Sequence, residues 1–189
     1  MHIKDREFIR GKVPMTKEEI RAISIAKLNL QEDSVLIDVG AGTGSVGIEG
    51  ATYLKKGFVY GIEKNRDGIE LIEKNLEKFQ IKNYKLIFGV APKDLKKIEK
   101  NSFDKMFIGG SSGNMEEIID FFIEYSKPES DFVINIIALE SLSNTLEIIK
   151  RKNLKNVEIV NVGVSRDKKV GNYTMMMGEN PIYIISGRK

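Results

Sequence analysis

The chain has 189 residues, of which 41% are hydrophobic, with 30 Lys and Arg, 27 Asp and Glu, a net charge of +3, one histidine and no cysteine. This length predicts a single domain, residues 1–189, whose core needs neither a disulfide nor a structural metal. The missing cysteine excludes thiolate chemistry, and one histidine excludes His-based triads and multi-His sites, so we expect no resident metal. The catalytic residues are not identified by the sequence.

The first predicted helix follows Pro14. Thr16 and Glu19 have the spacing of a capping box, in which the two side chains satisfy free amides at a helix start, and Ile20 and Ile23 follow on one face. We expect residues 1–30 to form an N-terminal extension and a capping helix. The residues alone thus assign Thr16 the role of N-cap.

The rest of the chain alternates between short apolar runs and segments with helical periodicity. Helices are predicted from the glycine loop at 40–44 to Leu54, around Ile69 to Phe79, and at about 115–126 and 141–152. Seven strands are predicted, at Val35–Val39, Phe58–Glu63, Tyr84–Gly89, Lys105–Ile108, Phe132–Ala138, Val157–Val164 and Ile182–Ser186.

This alternation is typical of an α/β fold with a mostly parallel sheet and helices on both faces. The last two strands enclose a polar, Met-rich segment, 166–179, in which we expect no regular element. Because no helix connects them, the last strand is predicted to run antiparallel. The expected fold is therefore Rossmann-like, with seven strands, of which the last is antiparallel.

The most informative motif joins a buried strand to three glycines and a helix. It reads Asp38-Val-Gly-Ala-Gly-Thr-Gly-Ser45, and Glu63 ends the next strand, nineteen residues after Gly44. Such glycines let a ligand approach the backbone, and an acid at the next strand end can accept the hydroxyls of a ribose. The combination predicts a nucleoside-cofactor site that includes Gly40, Ala41, Gly42, Thr43, Gly44 and Glu63.

The features of the glycine loop bear on whether the cofactor is a dinucleotide or S-adenosylmethionine. Gly42, Gly44 and Gly47 formally fit a dinucleotide fingerprint. Asp38 beneath the loop would, however, repel a pyrophosphate and is suited to hold an ammonium group. Together with the antiparallel ending, the loop resembles that of class I S-adenosylmethionine-dependent methyltransferases. In that class the adenine lies against the turn after the third strand, which here reads Phe88-Gly-Val-Ala-Pro92 and makes Ala91 the candidate contact.

Further motifs resemble one family over nearly the whole chain. Pro14-Met-Thr-Lys17, Phe107-Ile-Gly-Gly-Ser111 and Asn180-Pro-Ile-Tyr-Ile-Ile185 are similar to the CbiT family of decarboxylating cobalt-precorrin methyltransferases, and to the C-terminal part of CobL. The resemblance implies methylation of carbon 15 of cobalt-precorrin-6B, loss of the carbon-12 acetate carboxyl group, and release of cobalt-precorrin-7. It also implies that S-adenosyl-L-methionine is the cofactor, that Thr16 contacts it, and that the chain forms a homotetramer.

The substrate of such an enzyme is a tetrapyrrole that bears acetate and propionate groups, so cationic side chains should bind it. Arg166, Lys168 and Lys169 are the candidates, with solubility of the segment as the alternative. Met175 to Met177 are predicted as strand core, with a macrocycle pocket or a subunit contact as alternatives. The loop Lys127-Pro-Glu-Ser-Asp131 departs from the Pro-Gly-Gly turn common in class I enzymes.

Partners and location follow from composition. The N-terminal residues are charged and no long apolar run occurs, so we expect no signal peptide, no membrane partner and a cytoplasmic chain. Lys and Glu alternate along the helices, which favours a solvated surface over a nucleic-acid face. Two alternatives stay open: a class I methyltransferase that acts on RNA or protein, and a non-catalytic nucleotide-binding protein of the same fold.

Overall fold

The computed structural model describes residues 2–189. In this range the α-helices are α1 Glu18–Leu28, α2 Ser45–Ala51, α3 Arg66–Lys78, α4 Met115–Tyr125 and α5 Leu139–Arg151. The strands are β1 Val35–Val39, β2 Phe58–Glu63, β3 Tyr84–Phe88, β4 Lys105–Ile108, β5 Asp131–Ile136, β6 Lys155–Val162, β7 Ser165–Val170, β8 Tyr173–Gly178 and β9 Ile182–Arg188. Short 3-10 helices span Asp5–Glu7 and Lys93–Lys97.

Seven strands form the main sheet in the order β3-β2-β1-β4-β5-β9-β6. β1 to β5 pair in parallel, and β9 is antiparallel to both β5 and β6. The order reverses beside β1, which pairs with β2 on one side and β4 on the other. This arrangement confirms the predicted α/β fold and places a switch point at the carboxyl ends of β1 and β4.

Apolar layers on both sides of the sheet form the core. Along β1 successive side chains point to opposite faces, so Ile37 joins the layer under α4 and α5 while Leu36 joins the layer under α1 and α2. On α3 the predicted stripe is present, with Ile72 fully buried. Asn65 caps that helix by accepting a hydrogen bond from the amide of Asp67 at 2.9 Å. Both faces of the sheet are therefore covered, as a parallel sheet requires.

The segment between the last two strands of the main sheet is not irregular. β7 and β8 pair in antiparallel register as a separate two-stranded sheet, so the prediction of no regular element at 166–179 is wrong. Nearly every residue of the two strands is exposed. Because neither face of this small sheet is buried, its sequence lacks the alternation of apolar and polar residues from which strands are predicted. Met175 to Met177 are 47–65% exposed, which contradicts their assignment as strand core.

The start of α1 differs from the predicted capping box. The helix begins at Glu18, Lys17 is its N-cap, and no side chain caps it. The carbonyl of Thr16 instead accepts a hydrogen bond from Arg21 Nη1 at 2.7 Å, and Glu19 pairs with Arg166. The predicted capping box is therefore wrong: Thr16 is held through its carbonyl by Arg21, and the side chain of Glu19 is bound to the distant Arg166. The second helix is also shorter than predicted, ending at Ala51 rather than Leu54.

Candidate functional site

A cavity of about 730 Å³ opens at the switch point of the sheet. Its walls contain the ends of β1, β2 and β4, the segment before α1 and the connection from β8 to β9. A volume of this size is typical of small-molecule sites. The lining residues are 13–17, 39–42, 62–65, 89–91 and 109–112, with Ile20, Asn135, Ile137, Glu179, Asn180 and Ile182.

The glycine loop forms one wall through close backbone contacts. Gly40 and Gly42 have φ values of 70° and 60°, which favour glycine. A Cβ atom at Gly40 would lie 2.7 Å from the carbonyl oxygen of Gly110, and one at Gly42 would lie 2.9 Å from that of Pro14. The loop can therefore touch the loop after β4 and the segment before α1 only because these two residues lack side chains.

Glu63 lies beside this loop, and its carboxylate already accepts three backbone hydrogen bonds. Oε2 accepts from the amide of Gly42 at 2.8 Å, and Oε1 accepts from the amides of Lys64 and Asn65 at 2.9 and 2.8 Å. A carboxylate has about four lone-pair positions. The predicted contact with two ribose hydroxyls therefore requires one of these amides to give way.

Asp38 does not face the cavity. Its Oδ2 accepts a hydrogen bond from the amide of Gly47 at 2.9 Å, and Asp38 is absent from the cavity wall. The structure therefore does not bring this carboxylate together with the residues that line the cavity, and its contact with an ammonium group stays a prediction. Burial raises the pKa of Asp38 to about 7, since a charge there has little solvent.

The other predicted site residues divide into two groups. Thr16, Gly40, Ala41, Gly42, Glu63 and Ala91 line the cavity. Thr43 and Gly44 do not line the cavity, and their backbone groups instead make hydrogen bonds that hold the loop in place. The carbonyl of Thr43 accepts from Asn75 Nδ2 at 3.1 Å, and the amide of Gly44 donates to the carbonyl of Ala41 at 2.7 Å.

The predicted cationic contacts are not in the cavity wall. Arg166 donates from Nη2 to Glu19 at 2.7 Å and from Nε to Glu179 at 3.2 Å, and Lys168 and Lys169 lie on the exposed strand β7. Among residues 2–189 the cations that line the cavity are Lys17 and Lys64. Lys17 belongs to the Pro14-Met-Thr-Lys17 motif, but the sequence predicted no role in the site for its side chain.

Asn135 is a second residue that sequence reasoning missed. It follows the buried residues of β5 and lines the cavity, where its Nδ2 donates to Ser24 Oγ at 3.1 Å. Ser24 in turn donates to the carbonyl of Ile20 at 2.8 Å. A polar residue with apolar neighbours on both sides in a strand is the signal that could have identified it.

A buried ion-pair network holds the segment before α1 in place. Arg21 is fully buried, and its Nε donates to Glu49 at 2.7 Å while Nη1 reaches Asp5 at 3.0 Å and the carbonyl of Thr16. Glu49 also accepts from the amide of Ile3 at 3.2 Å. The N-terminal segment, α1 and α2 are thus joined through one guanidinium, which fixes one wall of the cavity.

Neither a metal site nor a membrane span is found in the described part of the chain. No group of three or more His, Cys, Asp or Glu side chains among residues 2–189 is arranged to hold a metal ion. None of the helices in the same range has the length and apolarity that crossing a membrane requires.

Comparisons with known proteins give a consistent result. A family model described as a precorrin methyltransferase domain matches residues 8–189. Two curated relatives are named probable cobalt-precorrin-6B C(15)-methyltransferase (decarboxylating). The one from Saccharolobus solfataricus is 40% identical over 99% of this chain and 95% of its own length. The one from Methanocaldococcus jannaschii is 44% identical over 97% and 96%.

Solved structures agree with these relatives. A precorrin-6Y C5,15-methyltransferase from Geobacter metallireducens has a TM-score of 0.91 and 37% identity, covering 99% of this chain and 97% of its own. A precorrin 8W decarboxylase from Methanobacterium thermoautotrophicum has a TM-score of 0.90 and 31% identity, covering 98% of each chain. A tRNA (m1A58) methyltransferase from Aquifex aeolicus, 20% identical with a TM-score of 0.77 over 96% of this chain and 72% of its own, shares the fold alone.

Proposed function

The chain belongs to the precorrin methyltransferase family, and from this premise we propose that it methylates carbon 15 of cobalt-precorrin-6B and removes the carbon-12 acetate carboxyl group. The methyl donor is S-adenosylmethionine, and the products are cobalt-precorrin-7 and carbon dioxide. The observation that carries this proposal is the cavity, which is lined by a nucleoside-type glycine loop and also by residues of α1, β5 and β9. Relatives of about 40% identity named for this reaction support it.

We propose that the cofactor lies against the glycine-loop wall. Gly40, Ala41 and Gly42 leave their backbone open to the cavity, and Glu63 offers its remaining lone pair to a ribose hydroxyl. Ala91, 8% exposed, provides a small apolar surface for the adenine. Thr43 and Gly44 act as supports of the loop. When bound, S-adenosylmethionine supplies a methyl group already activated on a sulfonium.

We also propose that Thr16 contacts the cofactor. The structure removes the alternative that its hydroxyl caps α1, because no side chain caps that helix. Its carbonyl is fixed by Arg21, so the residue is held where it lines the cavity. The contact implied by the family resemblance therefore has no competing local role.

The protein's part in the reaction is orientation and exclusion of water. The cavity lining also contains the apolar side chains of Ile20, Ile137 and Ile182. Methyl transfer needs the two reacting centres held in line, and loss of a carboxylate as carbon dioxide is favoured where water is excluded. The electron pair released with carbon dioxide passes into the conjugated macrocycle of the substrate, where it replaces the pair that carbon 15 uses to bond the methyl group as the bond from that methyl group to sulfur breaks. We assign no side chain as acid or base.

We further propose that the whole chain acts as one domain and assembles as a homotetramer. The hairpin of β7 and β8 exposes Tyr173 by 77% and Met176 by 65%, a surface that association would cover. Sedimentation equilibrium should give four times the chain mass of 21.3 kDa. A monomer at micromolar concentration would contradict the tetramer.

Mass spectrometry of cobalt-precorrin-6B incubated with the protein and methyl-labelled S-adenosylmethionine tests the reaction. We expect the gain of one labelled methyl group and the loss of carbon dioxide. A methyl gain without decarboxylation would contradict the second half of the proposal. No mass change, in a sample that binds S-adenosylhomocysteine, would contradict both halves and favour the RNA or protein methyltransferase.

A further inference from the structure

Lys17 and Glu179 lie side by side in the lining of the cavity, next to the start of α1. Lys17 is the N-cap of α1, and Glu179 follows β8 on the way to β9. Their charged groups form an ion pair, although both side chains are partly exposed, at 28% and 30%. This contact joins the two segments that close the α1 side of the cavity, and both partners line the cavity.

Glu179 has a second partner, and that partner makes its contact with Lys17 exchangeable. Oε1 of Glu179 accepts from Arg166 Nε at 3.2 Å, while Lys17 faces Oε2. Arg166 lies outside the cavity wall and is also bound to Glu19 at 2.7 Å. If another carboxylate took Lys17, Glu179 would keep Arg166, and no carboxylate would be left without a cation.

The two side chains are partly exposed, which weakens the ion pair, although Oε2 of Glu179 is itself buried. The hydrogen bond from Lys17 lowers the pKa of Glu179, so the carboxylate is ionised at neutral pH and competes for the ammonium. An ammonium has three donors and no fixed fork, so it accepts a new carboxylate in many orientations. Glu179 therefore occupies the position beside the Lys17 ammonium at which a carboxylate of the substrate can bind.

We propose that Lys17 binds a carboxylate side chain of the tetrapyrrole, which displaces Glu179 from the ammonium. This inference rests on the proposed function for the chemical class of its ligand, a macrocycle with acetate and propionate groups. It assigns recognition of the substrate to the start of α1 rather than to the lysines of the hairpin. Glu179 becomes an internal competitor that sets the strength of binding.

The test uses Lys17→Met, Glu179→Gln and the double variant, with Lys168→Met as the matched control at an exposed lysine. Gln keeps an amide oxygen for Arg166 but loses the charge that competes for Lys17. Circular dichroism checks that each variant is folded. Titration with cobalt-precorrin-6B, and with the stable polycarboxylate uroporphyrin, gives the affinities, and titration with S-adenosylhomocysteine gives that of the cofactor site.

We expect Lys17→Met to weaken tetrapyrrole binding about tenfold, as loss of a charge-assisted hydrogen bond does. Glu179→Gln should strengthen binding roughly threefold, since one competing carboxylate is removed. The double variant should bind as Lys17→Met does, because Glu179 acts only through Lys17. Affinity for S-adenosylhomocysteine should not change, and Lys168→Met should behave as the wild type.

Weaker binding in Glu179→Gln, or a Lys17→Met variant equal to Lys168→Met, would overturn the proposal, since a merely structural ion pair gives one of these results. If the variants change tetrapyrrole affinity as predicted but the wild type does not convert cobalt-precorrin-6B, the carboxylate subsite at Lys17 is supported and the proposed reaction is contradicted. If the wild type binds neither tetrapyrrole, the subsite is overturned.

Discussion

The two walls of the cavity are held together by different kinds of contact. At the glycine loop the contacts involve the backbone, such as the amide of Gly40 on the carbonyl of Ile62 at 3.0 Å. On the α1 side they are side-chain ion pairs between distant segments, such as Arg166 with Glu19, 147 residues away. Backbone contacts leave one arrangement, whereas ion pairs can exchange partners. The first wall suits an invariant cofactor, and the second suits a substrate with several carboxylates.

The largest expected effect comes from breaking the α1 side at Arg21. Arg21→Met should lower the free energy of unfolding by about 3–5 kcal/mol, because the buried Glu49 loses its guanidinium partner and keeps only His2 and the amide of Ile3. Urea unfolding measures it. The control is Arg151→Met, since Arg151 is 59% exposed in its pair with Glu116 and its loss should cost less than about 1 kcal/mol. Equal costs for the two variants would show that the Arg21 network does not hold this wall.

The next effect concerns Asp38, beneath the glycine loop. Its folded-state pKa of about 7 lies above the ordinary value of 3.8, so between these values the folded chain holds a proton that the unfolded chain has released. Stability from this group is therefore present at pH 4 and is lost as the pH rises through 7, by up to ~4 kcal/mol. Asp38→Asn keeps an acceptor for the amide of Gly47 and removes the titration.

Urea unfolding of wild type and Asp38→Asn between pH 4 and 8 measures this difference. We expect the stability of the variant, relative to wild type, to increase between pH 4 and about 7 and to level off above that pH. Parallel curves would mean that Asp38 ionises in the folded chain as it does in the unfolded chain.

A smaller effect is expected on cofactor affinity at Glu63. Glu63→Ala should weaken binding of S-adenosylhomocysteine by about 1–3 kcal/mol, because a charged acceptor is lost and three backbone amides lose their partner. Calorimetry gives the affinity. Glu70→Ala, at an exposed position on α3, is the control and should bind normally. Unchanged affinity in Glu63→Ala would remove Glu63 from the cofactor wall.

The smallest effect tests the backbone geometry of the loop. Gly42→Ala should lower the free energy of unfolding by about 1–2 kcal/mol, because alanine is strained at a φ of 60°. Gly163→Ala is the control, since a Cβ atom there meets nothing within 4 Å. A variant of Gly42 as stable as that of Gly163 would show that the loop can relax, contrary to the rigid wall described above.

The two walls also differ in how far sequence predicts them. The loop and Glu63 belong to one strand-loop-helix-strand unit, so spacing along the chain places them correctly. The pairs of Lys17 with Glu179 and of Arg21 with Glu49 join segments brought together only by the folded sheet. Spacing along the chain cannot reveal such partners. For the same reason the sequence predicts a capping box of Thr16 and Glu19, whereas in the structure the side chain of Glu19 is bound to Arg166.

The central claim is that the glycine-loop side of the cavity binds the cofactor and the α1 side binds the tetrapyrrole. Its most direct test measures both affinities in a variant of each side. The affinities for S-adenosylhomocysteine and for cobalt-precorrin-6B are measured in Glu63→Ala and in Lys17→Met. We expect Glu63→Ala to weaken only the cofactor analogue and Lys17→Met to weaken only the tetrapyrrole. Loss of both affinities to the same extent in both variants would contradict the account, because the cavity would then be one undivided site.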